Sequence, residues 1–378
     1  MLQIDHVYDF FYNVVFNKNF EVWSLPNGVP ALGPIQSDYD YIIFKPEIPP
    51  TKKIFFYDQE PLLPSTTEKY INHYQHFQKY TLEELRKEYE MTDEFFQHYL
   101  ENPNRAYKLP GCLCVSEHSE YVDQLIQTYK MKKLYYFFHG FAALDWYRGY
   151  YALNYTKNPV QKYQFDYQSF NRIVTGDRAY RKTFVDQLRA NNLLEHGAVS
   201  YGVTDEPVTE QRLVIDHEQL PGSASADIPD VDAFWHVVTE TVFYYDKLHL
   251  TEKIFKPIVS KQPFMLLAAP GNLEYLRSYG FKTFDGIIDE SYDHIQDNNQ
   301  RIDSVVKQIN WYCDLSDQDK FEIQRLIAPT VEHNFHHFYG EFKNIIVDEL
   351  LTNCKNLFEE IDYKETVDYN TIRKLLLN

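Results

Sequence analysis

Residues 234–284 have the sequence FWHVVTETVFYYDKLHLTEKIFKPIVSKQPFMLLAAPGNLEYLRSYGFKTF. Apolar runs of strand length alternate here with stretches of helical spacing, which predicts the order strand, loop, helix, strand, helix, strand. Thr251 is a favourable N-cap residue, so the segment IFKPIVSKQ that follows is predicted to form a short helix. Alternating strands and helices indicate a parallel sheet covered by helices.

Lys253 lies at the start of this predicted helix. An ammonium group there opposes the positive end of the helix dipole. Two interpretations remain open. Lys253 either points into water without a role, or it joins the free N–H groups of the helix start in binding a phosphate. In the second case, Glu252 would accept hydrogen bonds from ribose hydroxyls.

A second cationic helix start follows the predicted strand NRIVTG at residues 171–176. Asp177 is the predicted N-cap, and Arg178, Arg181 and Lys182 crowd the first turn. The planar guanidinium of an arginine can bind two phosphate oxygens at once, which makes this turn a candidate anion site. An ordinary surface turn is the alternative.

The composition is that of a globular chain, with 44% hydrophobic residues over a length of 378 that suffices for two domains. Lys and Arg number 37 against 55 Asp and Glu, and the formal net charge of −18 argues against a broad nucleic-acid-binding face. A local basic cleft, and with it DNA as an acceptor, stays open. The aromatic content of 17% suits stacking on sugars or bases, or reflects A/T-rich codon usage.

Cysteine usage and the N-terminus both indicate a cytoplasmic protein of a bacterium or a phage-infected cell. The cysteines show no metal-ligand spacing, so we expect buried free thiols in a reducing compartment; they are Cys112, Cys114, Cys313 and Cys354. The N-terminus lacks a basic region followed by an apolar core, and no apolar stretch reaches the roughly 18 residues of a membrane span. We therefore expect neither a signal peptide nor a membrane anchor.

The predicted elements fall into two α/β domains and a helical extension, with bounds at 1–160, 161–340 and 341–378. The first domain carries predicted strands at 38–46, 52–58, 112–116 and 132–138, and predicted helices at 81–102 and 118–130. A less regular region at 142–167 precedes the second domain. After Phe284 the spacing becomes helical, at 301–313 and 317–355. The fold class is thus α/β, with two Rossmann-like doubly wound domains that bind ligands at the carboxyl ends of their strands.

Two motifs in the opening stretch, VVTET at 237–241 and LHLTEKIFKPI at 248–258, resemble the donor-binding region of the α1,3-fucosyltransferase family and, more loosely, phage-encoded glycosyltransferases. Glu240 matches the Glu of the family's Phe-Glu-Asn-Ser motif, whose Asn is here Thr241. Glu252 and Lys253 match its Tyr-x-Thr-Glu-Lys motif. The run RKTFVDQL also resembles the family segment in which an Arg opens a helix and binds the diphosphate; Arg181 is the match and Arg178 a second candidate.

The resemblance, which covers residues 170–284, implies a GT-B fold in which two Rossmann-like domains face a cleft. It implies transfer of a sugar from a nucleoside-diphosphate sugar, such as GDP-fucose, to a glycan or a modified-nucleobase acceptor. Glu252 would bind ribose and Lys253 the pyrophosphate. The donor-binding candidates are Arg178, Arg181, Glu240, Thr251, Glu252 and Lys253.

An inverting transfer needs a base that takes the proton of the acceptor hydroxyl. The predicted strand at 52–58 ends at Asp58 and leads to Glu60, and Pro61 restricts Glu60 to extended geometry. Glu60 is the first candidate for the base, and His139 is its rival. The alternative for Glu60 is a turn-forming acid that orders the cleft.

The acceptor-binding candidates are Asp58, Asp145, Trp146, Tyr147 and Arg148, in which the two aromatic rings can stack on a sugar. Each of these residues has a packing or capping role as its alternative. The acidic run at 289–293 either caps the following helices or contacts the donor sugar.

Neither a cofactor nor a divalent metal is expected to be required. The sequences at 38–40 and 230–232 fit the Asp-x-Asp pattern of metal-dependent enzymes, but Arg181 and Lys253 already supply the positive charge that a metal would bring. His333, His336 and His337 share one predicted helix without a known zinc motif, which favours a solvated or core helix.

Two other functions stay open at this point. A phage enzyme of this kind can glycosylate hydroxylated bases in DNA, which requires a basic strip beside the site. A catalytically inactive module would bind the sugar nucleotide without turning it over.

Overall fold

The computed structural model describes residues 20–24, 53–57, 61–62, 84, 87, 112–129, 131–171, 173–201, 228, 231–360 and 368–377. Parallel strands and helices alternate along them, and helices follow at the C-terminal side, so the predicted α/β class is confirmed. The chain forms two compact units. The N-terminal unit comprises Ile4–Phe138 with Val347–Leu376, and the central unit comprises His139–Ile346.

The N-terminal unit contains a parallel sheet in the order β1-β2-β3-β4. Its strands are β1 Phe20–Ser24, β2 Lys53–Tyr57, β3 Cys112–Val115 and β4 Lys132–Tyr135, and helix α1 Glu120–Tyr129 connects β3 to β4. The sequence predicts the last three strands and the helix, and the structure confirms them. The first strand was not predicted. Of the helix predicted at 81–102, the structure describes Glu84 and Lys87, both helical, and the strand predicted at 38–46 lies outside the described residues.

The central unit contains a second parallel sheet, of Rossmann-like type, in the order β8-β7-β5-β6. Its strands are β5 Phe165–Asn171, β6 Gly197–Tyr201, β7 Ala233–Thr239 and β8 Phe264–Leu267. The chain passes from β5 outward to β6 and then returns to the other side of β5. This reversal creates a topological switch point between β5 and β7, where parallel sheets bind ligands.

Helices alternate with these strands and continue beyond them. In chain order they are α2 Phe138–Trp146, α3 Tyr150–Asn154, α4 Tyr180–Ala190, α5 Phe255–Val259, α6 Asn272–Ser278, α7 Asn298–Cys313, α8 Asp317–Tyr339, α9 Phe342–Glu360 and α10 Tyr369–Leu377. Short 3-10 helices lie at Gly176–Arg178, Leu193–Glu195, Glu252–Ile254 and Glu290–His294. No helix in the described ranges is long and apolar enough to cross a bilayer.

The core of the central unit surrounds β7, whose residues are all buried. Trp235 is 1% exposed and its ring contacts Phe284 and Tyr312 edge-on. A strand buried on both faces reads as a continuous apolar run in a parallel sheet. The sequence FWHVV therefore places β7 in the middle of the sheet.

Three predictions of local structure are wrong. The strand predicted at 171–176 lies earlier, at Phe165–Asn171, and the less regular region predicted at 142–167 contains helical residues and the start of this strand. The last strand predicted before Phe284 is absent from the described residues 281–284. Phe281 packs on Phe342 and Phe284 on Phe264, so side-chain packing and not strand pairing accounts for this apolar run.

Candidate functional site

The carboxyl ends of β5 and β7 are joined by a side-chain hydrogen bond at the switch point. Thr239, the last residue of β7, donates from Oγ1 to Oδ1 of Asn171, the last residue of β5, over 3.1 Å. Both side chains are buried. The loop that leaves β7 therefore begins at a fixed position beside β5.

Glu240 follows directly and is fully buried. Its carboxylate accepts hydrogen bonds from the backbone N–H of Thr251 at 3.2 Å, from that of Thr241 at 3.1 Å, and from the Thr251 hydroxyl. Thr251 in turn caps the 3-10 helix by accepting from Lys253 N at 3.4 Å, so the predicted N-cap is confirmed. Glu240 thus anchors the turn that carries Glu252 and Lys253.

Glu252 is a buried carboxylate between two cationic or basic side chains. One oxygen accepts from Lys253 Nζ at 2.8 Å, and the other lies 3.3 Å from Nδ1 of His139. Burial alone would raise the pKa of Glu252, but the Lys253 ammonium and the His139 ring outweigh it and hold the pKa well below its ordinary value. The carboxylate is therefore ionised throughout the physiological range.

The ammonium of Lys253 lies among oxygen atoms and is the part of this cluster that reaches solvent. Its Nζ is 3.2 Å from Thr251 Oγ1 and 3.4 Å from Thr241 Oγ1, besides its contact with Glu252. The side chain is 30% exposed, against 6% for Glu252. Lys253 combines a fixed position with access to a ligand.

The acceptor-site candidate Tyr147 and the candidate base His139 both contact this group, although they lie far from it in sequence. Tyr147 donates from its hydroxyl to the carbonyl oxygen of Glu252, 105 residues away, at 3.5 Å. The His139 ring meets the His249 ring edge-on, with centroids 5.3 Å apart. We call His139, Glu240, Thr251, Glu252 and Lys253 the switch-point cluster.

Arg181 is buried beneath the loop after β7. Its guanidinium is 3% exposed and donates to the carbonyl oxygens of Thr239 at 2.8 Å, Glu240 at 3.2 Å and Ile173 at 3.1 Å. The neighbouring Tyr180 hydroxyl also donates to the Glu240 carbonyl oxygen. Arg181 therefore fixes the backbone at the switch point, and its direct contact with a diphosphate stays a prediction.

The turn before α4 differs in detail from the sequence prediction. Thr175, not Asp177, precedes the 3-10 helix that contains Arg178, and α4 begins only at Tyr180. Asp177 accepts instead from the Tyr245 hydroxyl at 3.1 Å. Arg178 is half-buried on this turn, close in sequence to Arg181.

The remaining acceptor-site candidates on α2 form a local arrangement. Arg148 Nη1 donates to the carbonyl oxygen of Asp145 at 2.8 Å and to its carboxylate. The Arg148 side chain is half-exposed and that of Asp145 is 13% exposed. Trp146, between them, is half-buried. This pair secures the C-terminal end of α2.

Asp58 and Glu60, the carboxylates proposed from the first sheet, lie outside the described residues, as do Asp38, Asp40 and Asp230. At the carboxyl edge of the first sheet the structure instead reveals Glu117, which sequence reasoning missed. Glu117 is 1% exposed and accepts from Leu62 N at 2.7 Å and from Ser119 Oγ. The sequence did contain a pattern that could have indicated Glu117. It is an acid shortly after a predicted buried strand, which is the pattern that singled out Glu60.

The acidic run at 289–293 caps its own 3-10 helix and the preceding α6, whereas the predicted role at the following helix belongs to Asp297. Asp289 accepts from Ser291 N at 3.0 Å, and Asp293 accepts from Leu273 N at 3.0 Å at the start of α6. Glu290 binds Arg277 Nη1 at 2.9 Å. Burial raises the pKa of both Glu290 and Asp293.

The histidines of α8 bind backbone, in agreement with the core-helix interpretation. His333 and His337 contact the carbonyl oxygens of Gly280 at 3.0 Å and Tyr279 at 2.7 Å. Arg301 is a second buried arginine that the sequence did not reveal. It donates to the Phe243 carbonyl oxygen at 2.9 Å, and its guanidinium lies 4.2 Å from the Phe243 ring centroid.

The switch-point cluster thus offers a fixed, solvent-reaching ammonium, an ionised carboxylate and a histidine in contact with that carboxylate. Such a set can bind an anionic ligand and orient a proton acceptor. Comparison of the chain with protein-family models, with curated proteins and with solved structures gave no significant match.

Proposed function

We propose that this protein is a glycosyltransferase that moves a sugar from a nucleoside-diphosphate sugar to an acceptor hydroxyl. The observation that carries the proposal is the position of Glu252 and Lys253. They are held by Glu240 and Thr251 at the carboxyl end of β7, beside the switch point of a parallel sheet. Nucleotide ligands bind such sheets at this place.

Lys253 is proposed to bind the diphosphate. Its ammonium is the solvent-reaching cation of the cluster, and the Thr241 and Thr251 hydroxyls hold it in place. Because an ammonium has three N–H donors, a phosphate oxygen is proposed to replace the longest of these contacts, at 3.4 Å to Thr241 Oγ1, while the contact with Glu252 is kept. Glu252 is proposed to orient Lys253 and to contact the ribose of the donor.

Arg181 and Glu240 are proposed as positioning residues. Arg181 fixes the carbonyl oxygens of the loop that leaves β7, and Glu240 fixes the turn that bears Lys253. The two Nη atoms of Arg181 and the carboxylate of Glu240 are engaged by the protein itself. Arg178 is proposed as the second cation at the diphosphate because it is less buried than Arg181.

The base is proposed to be Glu60 or His139. His139 lies 3.3 Å from the ionised Glu252, which would orient its ring and stabilise its protonated form after proton transfer. Replacing each residue separately, by Gln at Glu60 and by Asn at His139, assigns the role. The variant that loses turnover while keeping nucleotide binding has lost the base.

The proposed arrangement is of GT-B type, with an inverting transfer and no requirement for a metal at the diphosphate. A GDP-sugar such as GDP-fucose is the proposed donor, and a glycan or a modified nucleobase the proposed acceptor. The sequence motifs at 237–241 and 248–258 support this choice.

A thermal-shift panel with GDP, UDP, CDP, ADP and dTDP, each with and without Mn²⁺, tests the proposal. A ligand that binds only the native state raises Tm by mass action, by RT ln(1 + [L]/Kd) in free energy. We expect one nucleotide to raise Tm without Mn²⁺ and Lys253→Ala to abolish the shift.

Lys133→Ala is the matched control. Lys133 is 26% exposed and paired with Asp123 at 3.1 Å, which resembles the exposure and pairing of Lys253, but it lies on the other sheet. The control variant should keep the full shift. Absence of a shift with every nucleotide, or equal losses in both variants, would refute the donor site.

A further inference from the structure

A second group of polar side chains lies at the amino ends of β5 and β6, opposite the carboxyl ends that carry the switch-point cluster. Asp166 is the second residue of β5, His196 directly precedes β6, and Cys313 is the last residue of α7. One ligand atom from each of the three lies within 4.8 Å of the other two. The backbone holds the first two together, since Asp166 N donates to the His196 carbonyl oxygen at 2.8 Å.

The three side chains differ in their exposure to solvent. Asp166 Oδ2 is 3.2 Å from His196 Nδ1, and the side chains are 17% and 45% exposed. Cys313 is buried beneath them. Burial raises the pKa of the Cys313 thiol to about 12, and the Asp166 carboxylate contributes to the rise. A neutral buried thiol is not an activated nucleophile, so this group does not form a catalytic triad.

We propose that Asp166, His196 and Cys313 bind a Zn²⁺ ion, with a water molecule as the fourth ligand. Sulfur, imidazole nitrogen and carboxylate oxygen are the ligand types that zinc accepts, at about 2.3, 2.0–2.1 and 2.0–2.2 Å. Calcium and magnesium prefer sites made of oxygen ligands, and Asp166 is the only residue among these three with a side-chain oxygen.

Binding changes the protonation of the site in a defined way. Zn²⁺ bonds to the Cys313 thiolate, to neutral His196 and to ionised Asp166, and one proton leaves the thiol to solvent. The zinc–sulfur bond replaces the sulfur–hydrogen bond, and nothing is oxidised or reduced. The affinity therefore rises with pH.

Lys320 is the group that competes with the metal. Its Nζ lies 2.8 Å from Asp166 Oδ1 and 3.0 Å from Oδ2, the oxygen beside His196, and provides the positive charge that balances this carboxylate. A dication on the side of Asp166 that faces His196 and Cys313 would meet repulsion from Lys320. Removal of this charge should strengthen metal binding, whereas an ordinary ion-pair network would gain no affinity for zinc.

The site would tie α7 to the amino-terminal side of β5 and β6. The switch-point cluster lies at the carboxyl ends of β5 and β7, so this zinc would not contact the diphosphate. The inference is thus independent of the proposed glycosyl transfer.

The test uses the full-length protein after removal of bound metal with a chelator. One equivalent of Co²⁺ should produce the near-ultraviolet absorption of a thiolate-to-cobalt transition, and Zn²⁺ should abolish this band and raise Tm. Cys313→Ser should lose the band, and His196→Gln should weaken zinc binding by at least about 100-fold. Lys320→Gln should bind zinc more tightly than the wild type.

His336→Gln is the control for nonspecific binding by a surface histidine. His336 is 53% exposed and lies 3.5 Å from Glu332, much as His196 lies beside Asp166. Replacement of His336 should leave both the cobalt band and the zinc affinity unchanged. The cobalt spectrum needs only the wild-type chain, so poor folding of a variant does not weaken the test. Absence of the thiolate band, or equal zinc affinity in His196→Gln and His336→Gln, would overturn the proposal.

Discussion

Buried arginines at the switch point bind backbone carbonyl oxygens. Arg181 contacts three of them, at Ile173, Thr239 and Glu240, and is 3% exposed. A charged group is removed from water at a high cost unless hydrogen bonds compensate for it. The loop that carries Glu240 therefore depends on Arg181 for its position.

We predict that Arg181→Ala lowers the free energy of unfolding by about 2–4 kcal/mol, because it leaves buried carbonyl oxygens without donors. Urea denaturation measures the change. Arg189→Ala is the control, since Arg189 lies on the same helix, is half-exposed and pairs with Asp186 at the surface. Its effect should stay within about 0.5 kcal/mol. Equal effects of the two substitutions would contradict the role assigned to Arg181.

His236 gives the protein a dependence of stability on pH. It is buried in β7, and burial lowers its pKa to about 3, with a smaller contribution from Lys256. Its Nδ1 lies 3.2 Å from Gln168 Nε2, whose amide can donate to a neutral ring. The unfolded chain binds a proton at this residue below about pH 6.5, whereas the folded chain does not until about pH 3.

The free energy of unfolding is therefore expected to decrease as the pH falls from 6.5 towards 3, by up to about 1.4 kcal/mol per pH unit from His236 alone. His236→Gln should flatten this slope between pH 6.5 and 5, whatever its effect at pH 7. Denaturation at several pH values provides the measurement. An unchanged slope in the variant, with His336→Gln as the exposed control, would show that His236 does not carry the effect.

At the residue scale, sequence reasoning succeeded where the signal was local. The capping role of Thr251 followed from its residue type and position, and the structure confirms it. The contact of Tyr147 with Glu252 joins residues 105 positions apart, and no periodicity encodes such a pair. The burial of Arg181 was equally hidden, because its helix start resembles an exposed cationic turn.

Pairing of β5 with β6 depends on one small residue at the element scale. Gly197 lies opposite Tyr167 in the register, and the Tyr167 hydroxyl donates to the Leu193 carbonyl oxygen at 3.0 Å. A Cβ atom at Gly197 would lie 2.3 Å from the Tyr167 ring. The ring is buried, and its hydroxyl is held by the Leu193 carbonyl oxygen, which opposes a shift of the ring.

We predict that Gly197→Ala destabilises the protein by about 1–3 kcal/mol through overpacking. Gly149→Ala provides the control, since a Cβ there meets no atom within 4 Å and the residue has a helical φ of −74°. The control should be neutral or slightly stabilising, because alanine restricts the unfolded chain. Thermal unfolding of both variants measures the change in stability. An unchanged Tm in Gly197→Ala would contradict the prediction, because it would show that the sheet accommodates the added methyl group.

Elements with a strong apolar run were predicted well, and those with mixed composition were not. The strands around Phe55, Leu113 and Leu134 are apolar and were placed correctly. Strand β5, FDYQSFN, has polar residues at buried positions such as Gln168 and Ser169, which bond to neighbouring strands and loops. A buried polar network removes the alternation on which sequence prediction relies.

The net charge of −18 sets an expectation for the whole molecule. A protein that binds DNA through its phosphates needs a basic face. We predict no binding to a duplex of mixed sequence at physiological salt, measured by fluorescence anisotropy with duplexes carrying either unmodified or hydroxymethylated cytosine. Salt-dependent binding in the micromolar range would instead favour the DNA-modifying function.

The alternation of strands and helices was sufficient to predict the α/β class and parallel sheets of the whole molecule. The strand order β8-β7-β5-β6 was not predictable, because each strand is separated from the next by a helix or a long connection and no residue pattern specifies which neighbour it pairs with. This order creates the switch point, and the candidate site depends on it. The motif at 248–258 indicated Glu252 and Lys253, which lie beside this switch point, and their contact with a nucleotide stays a prediction.

Hydrogen exchange with and without a saturating mixture of GDP, UDP, CDP, ADP and dTDP tests the donor site most directly. Ligand binding slows the exchange of backbone amides that it orders or covers. We expect slower exchange in residues 239–255, which contain Glu240, Thr251, Glu252 and Lys253, and no such change in Lys253→Ala. Unchanged exchange of this segment in the wild-type protein would contradict the assignment of the switch-point cluster as a nucleotide site.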